Sequence, residues 1–266
     1  MKLAWKRAAA LIVAASVMVG ASACGTSTDS GTAGAPATSK APEPKDVLLT
    51  SLSQYDKGVY SIDFTGLDGG GQAAIDASKK QAYIKMNATD PEAKFTMEFL
   101  LVEPDAYVKM DLGELAKVMG IKNLDGKTWM HVDRTKVKDN GSLGFSSDES
   151  DMLDVKELLK SAQSVKADGP GKFTGTLDLA KGDDSPMTDE DVVKALGDKA
   201  ATVPFTATVD AEGQLKELLI DVPAAGDKKA HQLKLTVTGY TATVLAKPTG
   251  KAVVEAPAEV YDFFNN

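Results

Sequence analysis

Apolar and polar side chains alternate along successive segments of this chain, and this alternation limits the possible folds more than any other feature. Tyr60, Ile62 and Phe64, for example, alternate with Ser61 and Asp63. The same pattern recurs at residues 84–86, 95–99, 108–110, 205–209, 218–222 and 233–237. Because successive side chains of a strand point to opposite faces, this period predicts a sheet with one apolar and one solvated face.

Short turn-like connections separate these segments, at residues 68–71, 125–126, 140–141 and 210–213. Short turns between successive strands are typical of antiparallel meanders. Helices are few: the spacing predicts one over Met152–Gln163 and another over Asp189–Leu196, with weaker candidates at Leu112–Met119 and Val47–Tyr55. The residues therefore predict a mostly β (α+β) domain whose long sheet must curl or stack to cover its apolar face.

The first residues of the chain have the features of an export signal. A basic start (Lys2, Lys6, Arg7) precedes the apolar run Ala8–Val19, which is shorter than the roughly 20 residues of a membrane-spanning helix. The tetrapeptide ending at Cys24 resembles a bacterial lipobox, which implies a diacylglyceryl group on that cysteine. Ordinary secretion with cleavage after residue 23 would instead leave a free thiol on the chain's single cysteine.

The sequence thus predicts three regions. Residues 1–23 are a signal peptide, and residues 24–45 hold the lipidated Cys24 and a Gly/Ser/Thr/Ala/Pro tether that buries too little to order itself. Residues 46–266 form a single domain. We expect a monomer that is exported and anchored to the outer face of the cell membrane.

Charge and motif content narrow the function. A net charge of −8 disfavours nucleic acid as a partner, because binding to phosphates requires basic side chains. His131 and His231, the only histidines, are predicted on strand surfaces, and no set of metal ligands with recognisable spacing is present, so we expect no cofactor. Without a nucleophile motif or a phosphate-binding loop, we expect no enzymatic activity.

Four methionines share the phase of the apolar strand faces: Met86, Met97, Met110 and Met130. Methionine suits surfaces that adapt to varied apolar partners, and it also fills ordinary cores. Both interpretations stay open. Trp129 has the opposite phase and is predicted at a rim or on the outer face of the sheet.

Three stretches resemble a known family: Lys156–Gly169, Val203–Leu215, and the strand ending at Tyr240 with the closing Val253–Pro257. Together with the lipobox they are similar to the LppX/LprG-type actinobacterial lipoproteins. The resemblance implies a LolA/LolB-like half-barrel, that is, a long curved antiparallel sheet with a few short helices against its concave side. It also implies a cavity for an acylated lipid or glycolipid.

The expected function is accordingly that of a membrane-anchored envelope lipoprotein that binds or transfers an acylated lipid. The alternative is a lipid-anchored interaction or structural protein with a filled interior and no ligand. Candidate ligand-binding residues are the apolar side chains in phase on the early strands: Ile84, Met86, Phe95, Met97, Phe99, Val108, Met110 and Met130.

Overall fold

The described residues form one open sheet with short helices. A computed structural model describes residues 41–66, 69–88, 94–114, 116, 121–138, 151–181, 190–250 and 253–265. Pro42–Asn265 form a compact unit. The strands of the described residues are β1 Val59–Thr65, β2 Gly69–Asp76, β3 Gln81–Ala88, β4 Phe95–Val102, β5 Asp105–Asp111, β6 Trp129–Val132, β7 Gln163–Ala167, β8 Lys172–Leu177, β9 Val203–Val209, β10 Leu215–Val222, β11 His231–Gly239 and β12 Val253–Glu255.

All of these strands belong to a single twelve-stranded sheet in the order β12-β6-β5-β4-β3-β2-β1-β11-β10-β9-β8-β7. The sheet curves without closing into a barrel, so β12 and β7 are its edges. This architecture confirms the predicted mostly β fold, a half-barrel with a few short helices against its concave side. One pairing departs from the antiparallel pattern, since β12 runs parallel to β6.

Four α-helices accompany the sheet in the described residues: α1 Pro44–Thr50, α2 Val155–Lys160, α3 Glu190–Leu196 and α4 Ala258–Asn265. The predicted helices overlap α1, α2 and α3. Helix α1 begins at Pro44, before the predicted Val47, and 3-10 turns follow it from Ser51, whereas α2 is shorter than predicted at both ends and Gln163 already belongs to β7. The helix α4 was not predicted. Within the weaker candidate at Leu112–Met119, Glu114 and Ala116 are helical, and residues 115 and 117–119 lie outside those described.

All four helices pack on the concave face. Their buried apolar residues, such as Leu48 of α1, Leu158 of α2 and Phe264 of α4, belong to the same apolar cluster as the inward-facing residues of the strands. The cluster includes Tyr60, Leu235 and others from both halves of the sheet. The inward-facing side chains of the strands therefore form one side of the core, and the helices form the other.

The turn predicted at residues 68–71 is wrong for its glycines, because Gly69–Gly71 lie inside β2. A Cβ atom on Gly71 would lie 2.6 Å from Cζ of Phe64, whose ring occupies that space on the neighbouring strand. These glycines provide room for close packing rather than a flexible bend. The turn predicted at residues 210–213 is confirmed between β9 and β10, and the one at 140–141 lies outside the described residues.

A second, smaller apolar cluster lies on the convex face. Leu100, Val102 and Tyr107 form it, and Leu245 packs on them. Leu245 belongs to residues 240–250, a segment we call the strap, which follows β11 and crosses this face toward β12. A hydrogen bond of 3.0 Å between the hydroxyls of Thr243 and Ser61 marks its path over β1.

The packed part of the chain begins slightly before the predicted boundary between tether and domain. Lys45, at the end of the predicted tether, donates hydrogen bonds from Nζ to the carbonyl oxygens of Lys160 and Ala162, at 2.8 and 2.7 Å. The packed unit therefore includes the residues just before Asp46.

Cys24 and residues 1–40 lie outside those described. Among the described helices, none is long and apolar enough to cross a membrane.

Candidate functional site

The candidate ligand-binding residues come together on the concave face of β3 to β6. Strand register places Met86 beside Met97 and Met97 beside Met110, which gives one row across three strands. The adjacent row joins Ile84, Phe99, Val108 and Met130 across four strands. Phe95 extends β4 beyond the first row. The alternation in the sequence therefore correctly predicted which side chains share this surface.

Burial of these residues is high over most of the surface. Side-chain exposure is at most 8% for the six members at its centre: Ile84, Met97, Phe99, Val108, Met110 and Met130. Met86 is partly buried against the same cluster, and Phe95 is 37% exposed. Exposure thus rises along β4 toward its first residue.

The C-terminal helix α4 covers part of this surface. The Phe264 ring contacts the Phe99 ring with a centroid distance of 6.0 Å and an angle of 57°. Val260 and Tyr261 are buried beside it. Because aromatic rings in this tilted arrangement attract each other beyond simple burial, this contact fixes α4 over the second row.

The hydrogen bonds of Tyr261 and Asn265 join α4 to residues 133–138. The Tyr261 hydroxyl accepts a hydrogen bond from the Asp133 backbone N–H at 2.9 Å. The Asn265 side chain accepts from the Lys138 N–H at 2.8 Å and donates to the Lys136 carbonyl at 3.0 Å. The contact of α4 with the second row, through Phe264 and Phe99, is apolar.

The centre of the candidate surface is tightly packed, since its six central residues are at most 8% exposed. A cavity of about 10 Å³, which is room for about one water molecule, lies beside Phe99, Tyr107 and Arg134, and no α4 residue belongs to its lining. In the conformation described, the candidate surface is a packed core, and an acyl chain requires that something else move.

The other half of the interior contains a buried polar cluster. The rings of Tyr55 and Tyr60 stack with centroids 4.0 Å apart. Asp151 accepts hydrogen bonds from the N–H groups of Val155 and Lys156 at 3.0 and 2.9 Å, which caps the start of α2. Burial raises the pKa of the Asp151 carboxyl above its ordinary value, and burial likewise raises the pKa of the Tyr55 hydroxyl.

Both histidines lie on strands, in β6 and β11, and are partly exposed as predicted. Trp129 lies on the convex face, where the Lys109 ammonium sits 4.7 Å from its ring centroid. Within the described residues, no cluster of three or more His, Cys, Asp or Glu side chains could hold a metal ion.

The alternation pattern did not predict α4, the helix that covers part of the candidate surface. Its signal is short: Pro257 stands just before the helix, and Val260, Tyr261 and Phe264 recur at helical spacing. Proline next to a helix start and this spacing both favour a helix, but eight residues are too few to stand out in a chain dominated by alternation.

No family model matches the sequence, and no curated protein is significantly similar to it. The resemblance to the LppX/LprG-type lipoproteins therefore stays a prediction.

Proposed function

We propose that this chain is an exported, lipid-anchored envelope protein of the LppX/LprG type that binds an acylated lipid between its sheet and α4. One observation carries the proposal. Every inward-facing position of β3 to β6 is apolar, from Ala82 on β3 to Val132 on β6, and the aromatic contact of Phe99 with Phe264 joins this surface to the helix above it. An acyl chain can replace such contacts without leaving a buried polar group unpaired.

The packed interior sets the energetic condition for binding. An acyl chain that takes the place of α4 must release Val260, Tyr261 and Phe264 from the interior. Full burial of each such side chain contributes about 1.5–3 kcal/mol, so their release costs about 5–9 kcal/mol. Each methylene group that enters returns about 0.8 kcal/mol, and about 6 to 11 methylenes therefore offset the cost.

This balance gives a chain-length threshold, and that threshold is the test. Binding of single-chain lipids with 8, 10, 12, 14 and 16 carbons to the chain carrying Cys24→Ala should be weak up to about 10 carbons. Affinity should then rise steeply with each added methylene. Native mass spectrometry of the same protein should show co-purified lipid with long acyl chains. The absence of binding at every length, with no lipid in the purified protein, would refute the proposal.

A second function has its own support. The burial of the six central candidate residues, which are at most 8% exposed, favours an anchored interaction or structural protein with a filled interior. That function predicts no chain-length dependence and no displacement of α4 by any lipid. The same titration therefore distinguishes the two.

The anchor and the location are part of the proposal and rest on sequence. The basic start, the apolar run and the small residues before Cys24 support export and lipidation. A diacylglyceryl group provides two acyl chains, and two chains hold a protein at a membrane more firmly than one. No covalent step by the protein and no cofactor are part of this function, and the protein acts as a monomer.

A further inference from the structure

A cluster of charged groups surrounds His131 on the convex face, where four elements meet. Nε2 of His131 lies 3.2 Å from Oδ1 of Asp105 on β5, and Nδ1 lies 3.2 Å from both carboxylate oxygens of Glu255 on β12. Lys247 of the strap forms an ion pair with Asp105. Tyr107 completes the surroundings, with its ring centroid 5.3 Å from that of His131.

Hydrogen-bond chemistry makes this arrangement sensitive to a proton. A carboxylate only accepts hydrogen bonds, and both ring nitrogens of His131 face carboxylates. A neutral imidazole has one N–H, so it donates to Asp105 or to Glu255, and its other nitrogen points a lone pair at the remaining carboxylate. The protonated ring donates to both.

The net charge of the cluster depends on the same proton. The two carboxylates of Asp105 and Glu255 face one ammonium, that of Lys247, so a proton on His131 brings the cluster to neutrality. The Lys247 ammonium and, to a smaller extent, His131 hold the pKa of the Asp105 carboxyl below its ordinary value. Asp105 therefore stays an acceptor over the range in which histidines change charge. Arg134 and Glu103, which are close in sequence to His131 and Asp105, form a further ion pair at 2.6 Å.

We propose that His131 is a proton-dependent clasp that ties the edge strand β12 to β5 and β6. In its protonated form the ring bridges Asp105 and Glu255 across three neighbouring strands, and loss of the proton breaks one of the two bridges. Among the described strands, β12 pairs with β6 alone, along three residues. The bridge to Glu255 therefore adds a side-chain link to a short strand pairing.

The clasp also affects how the start of α4 is held. Ala256 and Pro257 connect β12 directly to α4, and the Ala256 N–H donates to the His131 carbonyl at 2.9 Å. Loosening β12 therefore frees the start of the helix that lies over Phe99. The inference stands apart from the proposed lipid site, because its readouts concern the protein alone.

Amide hydrogen exchange of the full chain tests the clasp, with Ala256 as the reporter. The Val209 amide, which donates to the Gly171 carbonyl at 2.8 Å far from this edge, serves as the internal control. After correction for intrinsic exchange, the protection of Ala256 relative to Val209 should fall about two- to fivefold between roughly pH 5.5 and pH 8, the range expected for partly exposed ion pairs. The sign follows from the bridge, which is complete only while the ring is protonated.

Two variants separate the clasp from a general effect of pH. His131→Gln keeps a hydrogen-bonding side chain without a titrating charge and should abolish the pH dependence. Glu255→Gln changes a side chain that is 79% exposed, so it should fold even if His131→Gln does not, and it should reduce the dependence. Constant relative protection in the wild type, or an equal pH dependence in the wild type and both variants, overturns the clasp. Lipid binding is not measured, so these results are independent of the proposed function.

Discussion

Replacing Phe264 with alanine tests most directly whether α4 occupies a place that an acyl chain can take. Phe264 is 5% exposed and its ring rests against that of Phe99. Deletion of a buried phenylalanine ring typically costs about 3–5 kcal/mol of unfolding free energy. For a domain of this size about 1 kcal/mol lowers Tm by about 2–4 °C. The Tm of Phe264→Ala should thus fall by roughly 6–20 °C.

The lipid response of the same variant carries the functional information. Because one apolar side chain fewer must leave the interior when a lipid enters, the cost of displacing α4 drops by about 1.5–3 kcal/mol. The Kd of a 16-carbon lipid should therefore be about tenfold or more lower for Phe264→Ala than for the wild type. Saturating lipid should also return stability, about 2.7 kcal/mol at a hundredfold excess over Kd.

Phe205→Ala is the matched control. Phe205 lies on β9, on the other half of the sheet, and is 2% exposed. Its loss should cost a similar free energy of unfolding and leave the Kd for lipid unchanged. If both variants gain affinity equally, cavities in general attract lipid and α4 has no special role. If neither gains, the interior is a core, and the interaction function is the better account.

Three further predictions concern other parts of the chain. Palmitate labelling should mark the wild type and spare Cys24→Ala, which should move to the soluble fraction; equal labelling of both would contradict the anchor. Deleting residues 30–39, inside the predicted tether, should leave Tm unchanged within error, because these residues bury too little to contribute; a clear drop in Tm would show that they pack. For Asp151, whose pKa burial raises, the folded state binds the proton more tightly than the unfolded state. The unfolding free energy of the wild type, taken relative to that of Asp151→Asn, should thus fall as pH rises through the titration of this carboxyl. Urea denaturation at several pH values measures this difference, and a difference that stays constant with pH would show that the pKa of Asp151 is not raised by folding.

Alternation predicted the strands that have one wet and one buried face, and it failed where that contrast is missing. In β1 and β4 the inward residues follow the period of two, so both strands and the parity of the candidate residues could be predicted. The edge strand β7 is exposed at four of its five positions and shows no such contrast. The three residues of β12 are too few for any period to appear.

The element that covers the candidate surface could not be predicted from the same pattern. Parity tells which side chains share a face, and the structure brings Met97, Phe99 and Met110 together accordingly. What covers that face depends on contacts between residues far apart in sequence. The partner of Phe99 is Phe264, and no local pattern links the two.

The arrangement of residues 240–250 and 253–265 explains how α4 could move without loss of the fold. On the convex face, Leu245 of the strap packs on Leu100, and on the concave face Phe264 packs on the adjacent Phe99. These contacts belong to separate apolar clusters, because neighbouring residues of a strand point to opposite faces. Displacement of α4 exposes only the concave cluster, while the strap keeps its own apolar contacts and the Lys247–Asp105 ion pair. A lipid that enters under α4 therefore competes with one helix and not with the closure of the sheet, which is the physical condition for binding at an interior that is otherwise full.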